Sequence, residues 1–238
     1  MPSRSVLEIC VESVDHAGAA ERGGADRIEF CSDLPSGGVT PNAALMRAVR
    51  RGIRVPVHVL IRPRSGDFVY SDSEFEAMKR DIEVAKDLGM DGIVVGLLDE
   101  AGQVDRKRTG ILVNLAHPLP VTFHRAFDLS QDLHVSLGAV IQTGAVRILT
   151  SGGKARVTDG LSTLAALVAA AGDRIVIMPG GSIRASNVRR ILQQTGAREV
   201  HTSLGTSREP GNHNPALPEA DRTLEEFEAR VRKVRRLI

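Results

Sequence analysis

The sequence predicts an α/β fold, a single-domain (β/α)₈ barrel, on three observations. Short β-branched runs recur along the 238 residues, each followed by a longer stretch with helical spacing. Glycines punctuate the returns from helix to strand. A hydrophobic content of 42% over this length supplies one large core, and α/β barrels commonly occupy about 250 residues as one domain.

Eight strands are expected, at Leu7 to Glu12, Arg27 to Cys31, Pro56 to Arg62, Gly92 to Leu98, Pro120 to Arg125, Arg147 to Ser151, Arg174 to Met178 and Glu199 to Ser203. Helices fill the gaps. Gly23, Gly52, Gly89, Gly144, Gly172 and Gly196 stand where left-handed helix C-caps belong. Thr40-Pro41 offers an N-cap followed by proline at the first helical position, and Ser71 with Glu74 has capping-box spacing. Phe75, Met78, Ile82 and Leu88 then mark one helical face. Alternating units imply a parallel sheet with right-handed crossovers, and eight of them suggest closure into a barrel rather than an open doubly wound sheet. One domain is expected over residues 1–238: barrel core at about 6–204, an aperiodic Pro- and Asn-rich loop at 205–220, and a terminal helix at 221–236. That helix opens with Glu225, Glu226 and Glu228 and closes with Arg230, Arg232, Lys233, Arg235 and Arg236, a distribution that complements its dipole.

Composition excludes several classes. A net charge of +2, no Trp and a single Tyr supply neither the basic field nor the stacking platforms of a nucleic-acid binder. No apolar run approaches the roughly 18 residues that cross a bilayer, and Met1 to Ser5 leads straight into a strand instead of a signal-peptide core. A cytoplasmic protein is expected. Its two cysteines are then free thiols, metal ligands or small buried hydrophobes.

Strand parity locates the chemistry, because alternate strand residues point into a barrel. The first strand sends Leu7, Ile9 and Val11 one way and Glu8, Cys10 and Glu12 the other; the second separates Ile28 and Phe30 from Glu29 and Cys31. Since the apolar set must meet the helices, the interior and rim receive Glu8, Cys10, Glu29, Cys31, His58, Arg62, Thr122, His124, His201 and Ser203. Such groups must satisfy one another or bind something.

Glu8-Ile9-Cys10 and Glu29-Phe30-Cys31 repeat one pattern on neighbouring strands, so the thiols can converge across a strand spacing of roughly 5 Å. Converging thiolates favour a soft ion such as Cu(I), and with histidine nearby Zn(II) also fits. Glycine-rich turns after the last three expected barrel strands offer a second chemistry. Ser151, Gly152 and Gly153, with Gly180 and Gly181, could present backbone N–H groups to a phosphate or carboxylate, with Arg62 as a bidentate partner. Arg64 is a further anion contact or a solvated loop charge. An enzyme acting on a small anionic or phosphorylated metabolite would draw its acid–base groups from Glu8, Glu29, His58 and His124.

From about Leu7 to about Gly205 the chain resembles the CutC family, the proteins called copper homeostasis proteins. The resemblance rests on Glu8 to Ser13, Gly23 to Cys31, Val57 to Arg64 with Gly66-Asp67-Phe68, Thr122 to Asp128, and Leu149 to Gly153. It implies a TIM-like barrel in the cytoplasm, self-association into a homo-oligomer, and Cu(I) held by Cys10 and Cys31; the inward His58, His124 and His201 are expected to support that site. The loop after Gly205 departs from the family pattern.

Overall fold

A computed structural model describes residues 4–205 and 224–238. Eight strands run parallel: β1 Val6–Val11, β2 Arg27–Phe30, β3 Val57–Leu60, β4 Gly92–Val95, β5 Val121–Phe123, β6 Arg147–Thr150, β7 Val176–Pro179 and β8 Glu199–Thr202. Helices separate them: α1 Val14–Gly23, α2 Ala43–Gly52, α3 Asp72–Asp87, α4 Arg106–Ala116, α5 Leu133–Thr143, α6 Leu161–Ala171 and α7 Val188–Thr195, with α8 Leu224–Arg235 last.

Ladders join the strands from β7 through β1 to β8 in unbroken neighbour order. The remaining gap, between β7 and β8, is closed by one parallel bridge, Gly180 to His201. A Cβ at Gly180 would lie 2.4 Å from Leu149 Cδ1, so a side chain there would require Leu149 to shift. The eight expected strands are therefore present and form the TIM-type barrel, with several ending earlier than their sequence pattern. β5 stops at Phe123 because the His124 ring accepts the Ala126 N–H through Nδ1, capping a 3₁₀ turn over Arg125–Leu129.

Parity sorts the interior as expected. Leu7, Ile9, Val11, Ile28, Phe30, Val57, Val59, Ile93, Val95 and Phe123 join the main core against the helices. A separate small apolar cluster inside the barrel holds only Cys10, Cys31, Leu60 and Val94, with Leu34 over it.

Among the caps, Ser71 and Glu74 form the expected reciprocal box. The Thr40-Pro41 expectation is corrected: Asn42 caps α2 by accepting from Leu45 N at 3.0 Å. Thr40 is drawn instead to the end of β3, where its hydroxyl accepts from Arg62 N and donates to Arg62 O. Gly144 and Gly196 are left-handed C-caps as expected. For α1 that residue is Gly24, at φ 95°. Gly23 is small because α8 presses on it: a Cβ there would lie 2.6 Å from Val231 Cβ. Gly52 is the last residue of α2, which is capped by Ile53 in extended conformation. The terminal helix buries Phe227, Val231 and Val234. The expected loop falls, from residue 206 on, outside the described residues, as does the expected helix start at 221–223.

Candidate functional site

The barrel interior is polar in two layers. The lower one is an ion network. Glu8, fully buried, takes Arg27 Nε on one oxygen and His201 Nδ1 on the other at 2.7 Å. Arg27 continues to Glu199, Glu199 accepts from Arg147 Nε at 2.6 Å, and Arg147 donates to Thr122 Oγ1 at 3.1 Å. Burial works against Glu8 as an anion, yet the Arg27 guanidinium and the His201 hydrogen bond hold its carboxyl well below the usual range. Burial likewise opposes Glu199, and its two arginines hold its pKa down. Sequence parity had brought Glu8 and Thr122 inside but passed over Arg27, Arg147 and Glu199, although each lies two residues from an inward position.

His58 stands beside this network with Nδ1 unpartnered and its ring in the space left by Gly92, where a Cβ would lie 2.4 Å from His58 Cδ2. Burial pushes its pKa down to about 4, so the ring is neutral at pH 7. It does not line the pocket above.

In the upper layer Cys10 and Cys31 meet with their sulfurs 3.7 Å apart, both buried and both free thiols. The register pairs Cys10 with Glu29, so the cysteines approach on a diagonal. Cys10, Glu29 and His201 each offer one donor atom, and these atoms lie within 4.8 Å of one another. His201 spends Nδ1 on Glu8, which leaves Nε2 as its donor. Glu29 Oε2 is buried with no hydrogen-bond partner. The adjoining Cys31 thiol and burial push the Cys10 thiol upward, and burial raises Glu29. His201 is raised although burial works against it, because Glu29 and Glu8 face it. Of the three histidines expected around the cysteines, the structure brings only His201 into the donor cluster.

Above the thiols the barrel opens into a pocket of about 230 Å³. Cys10, Glu29 and His201 line its base, Leu34, Leu60 and Leu149 its apolar sides, and Arg62, Phe68, His124, Arg125, Gly181 and Ser203 lie among its walls. The His124 ring occupies the space left by Gly96, whose Cβ would lie 2.3 Å from His124 Cε1. With Nδ1 accepting from Ala126, its remaining nitrogen, Nε2, is buried and unpartnered. Burial and Arg62 push its pKa down to about 3.

The glycine turns are arranged differently from the open N–H cradle expected of them. The Asp128 carboxylate already sits there, accepting from Ser151 N and Gly153 N at 3.0 Å and from Arg125 Nε at 2.8 Å. Gly152 N donates to Thr150 Oγ1, and Gly180 N to Thr150 O. The chain thus fills its own anion nest from the 3₁₀ turn after β5. Of the six expected anion contacts, Arg62 and Gly181 line the pocket; Ser151, Gly152, Gly153 and Gly180 do not. Arg64 pairs outside it with Asp67 and Glu74.

The human protein named copper homeostasis protein cutC homolog is 47% identical over 206 residues, covering 87% of this chain and 76% of its own length. A CutC family protein of Xylella fastidiosa is 47% identical over 197 residues, 83% of this chain and 74% of its own. The crystal structure of CutC from Streptococcus agalactiae superposes with a TM-score of 0.79 at 32% identity, covering 84% of this chain and 98% of that one. The family pattern of CutC matches residues 5–206. The chain belongs to the CutC family.

Proposed function

We propose that this protein takes part in copper homeostasis by binding Cu(I) at the base of its pocket, with Cys10 and Cys31 as the thiolate ligands and Glu29 or His201 completing the set. The observation that carries this reading is the convergence of the two thiols at 3.7 Å beside the Cys10, Glu29 and His201 cluster. Thiolates are the donors that select Cu(I) from harder ions. The spacing fits the ion. With a metal–sulfur bond of about 2.3 Å, one ion holds two sulfurs about 4.6 Å apart if linear and about 3.8 Å apart at a tetrahedral angle. The observed distance lies at the bent end, which calls for another donor, and the orphaned Glu29 oxygen and His201 Nε2 are adjacent. Glu8 supports the arrangement by fixing the His201 tautomer, as outer carboxylates do at metal-binding histidines. Cys10 lines the pocket, so the ion has a route in.

A cytoplasmic location belongs to the same proposal. Two free thiols this close persist as a dithiol in a reducing compartment. No helix among the described residues is long and apolar enough to cross a membrane.

Anaerobic competition against a Cu(I) chelator tests the reading on wild type and the Cys10→Ser/Cys31→Ser double variant. One-to-one binding that is lost in the variant is expected; weak binding that the variant leaves unchanged overturns it.

A further inference from the structure

Three arginines are buried among the described residues: Arg27, Arg62 and Arg147. Arg27 and Arg147 both hold carboxylates in the lower layer. Arg62, 4% exposed, has no carboxylate within ion-pair distance among the described residues. Its terminal nitrogens donate to two neutral carbonyls, Gly38 O at 2.9 Å and Gly66 O at 2.7 Å, and its Nε has no acceptor. A buried cation with carbonyl dipoles and an aromatic face but no ion-paired carboxylate is costly, and the cost falls when an anion arrives.

Arg62 lies 4.7 Å over the Phe68 ring, and His124 rests against the same ring at 4.9 Å. One pocket wall therefore carries a guanidinium and, at His124 Nε2, the N–H of a neutral imidazole whose other nitrogen already accepts from Ala126. The base carries the unpartnered Glu29 Oε2. Leu34, Leu60 and Leu149 give the pocket apolar sides. At about 230 Å³ the space is below the roughly 300–1,000 Å³ of sites for drug-sized ligands.

We propose that the barrel mouth binds a small hydroxy acid anion, its carboxylate against Arg62 and His124 and its hydroxyl against Glu29. A hydroxyl both donates and accepts, so it serves Glu29 in either protonation state. Arg62, His124 and Glu29 line one pocket, and each carries a buried polar atom without a hydrogen-bond partner. This goes beyond copper binding, since Arg62 and His124 are outside the metal donor cluster.

Saturation-transfer NMR on the full chain, held metal-free with a chelator, tests the assignment with lactate and glycerate as probes, lactamide as the uncharged isostere and inorganic phosphate as a bare anion. Lactate or glycerate should bind and lactamide should not. Arg62→Gln should weaken binding about tenfold or more, as expected for losing a charged hydrogen-bond donor. Because Arg62 ties two loops and His124 caps the turn after β5, His124→Gln is run beside it at a temperature where circular dichroism shows both variants folded, and should weaken binding there. Cys31→Ser, which lies outside the pocket lining, should leave hydroxy acid binding intact while impairing Cu(I) binding, which separates the thiol pair from the anion contacts. Binding of lactamide equal to lactate, binding of phosphate alone, absence of binding by both hydroxy acids, or indifference to His124→Gln each overturns the assignment.

Discussion

Arg27 and Glu29 are two residues apart on β2, both point into the barrel, and their circumstances are opposite. Arg27 holds Glu8 and Glu199 in a network where each carboxylate also has a further partner. Glu29 keeps an oxygen that nothing meets. The same contrast runs around the barrel: Glu8 lies below Cys10, Glu199 below His201, and the paired Arg27 and Arg147 contrast with Arg62 at the mouth, which forms no ion pair among the described residues. A buried polar layer whose bonds close on themselves specifies the fold. One whose bonds stay open is where the proposed ligands are placed.

The contrast breaks most visibly at the floor. Arg27→Met leaves Glu8 and Glu199 short of their shared cation, and removing one partner of a buried ion pair costs about 3–5 kcal/mol. Urea unfolding should register a loss of that order, and a loss below about 1 kcal/mol would show that the floor is not what holds these strands.

His58 sharpens the comparison through pH. Its folded pKa is depressed to about 4, against about 6.5 unfolded. Between those values the unfolded chain binds the extra proton, so its contribution is full above the unfolded pKa and is lost as pH falls toward the folded one. The raised His201 and Glu29 act in the opposite sense on acidification, which is why a difference measurement is needed. His58→Gln removes this dependence. Its stability relative to wild type should rise by about 2 kcal/mol between pH 7.5 and pH 5, and a pH-independent difference contradicts the depressed imidazole.

The smallest effect is expected at the mouth. Glu29→Gln removes a charge that burial disfavours and breaks no bond to Oε2, so stability should change by less than about 1 kcal/mol while Cu(I) competition weakens. If denaturation instead follows the Arg27 variant, the upper layer is structural too.

Parity made the barrel and its inward face readable, because a strand buried against helices on one side separates Ile28 and Phe30 from Glu29 and Cys31 without reference to anything distant. It brought Cys10, Glu29, Cys31 and His201 to one interior. What it could not supply was height along the barrel axis, which strand offset decides. Register sets Glu8 opposite His201 and Glu29 opposite both Cys10 and His58, and only the tilt of the strands brings His201 within reach of Cys10 while His58 sits beside the floor. The glycine turns were readable as turns, but their occupant, Asp128, comes from a different loop more than twenty residues earlier, and no local pattern announces that pairing. Gly92 and Gly96 were equally silent, since they act by making room for histidines on adjacent strands.

The bridge between Gly180 and His201 gives the barrel a clasp. Seven strand boundaries are stitched by ladders and the eighth is pinned at one point, on the residue that also turns its imidazole toward Cys10 and Glu29. A load gripped by that imidazole draws on the fastening of the whole hoop. The amides of β7 and β8 should therefore feel cargo before those of any other seam, and hydrogen exchange along Val200 to Thr202 becomes a gauge of whether the barrel is carrying anything.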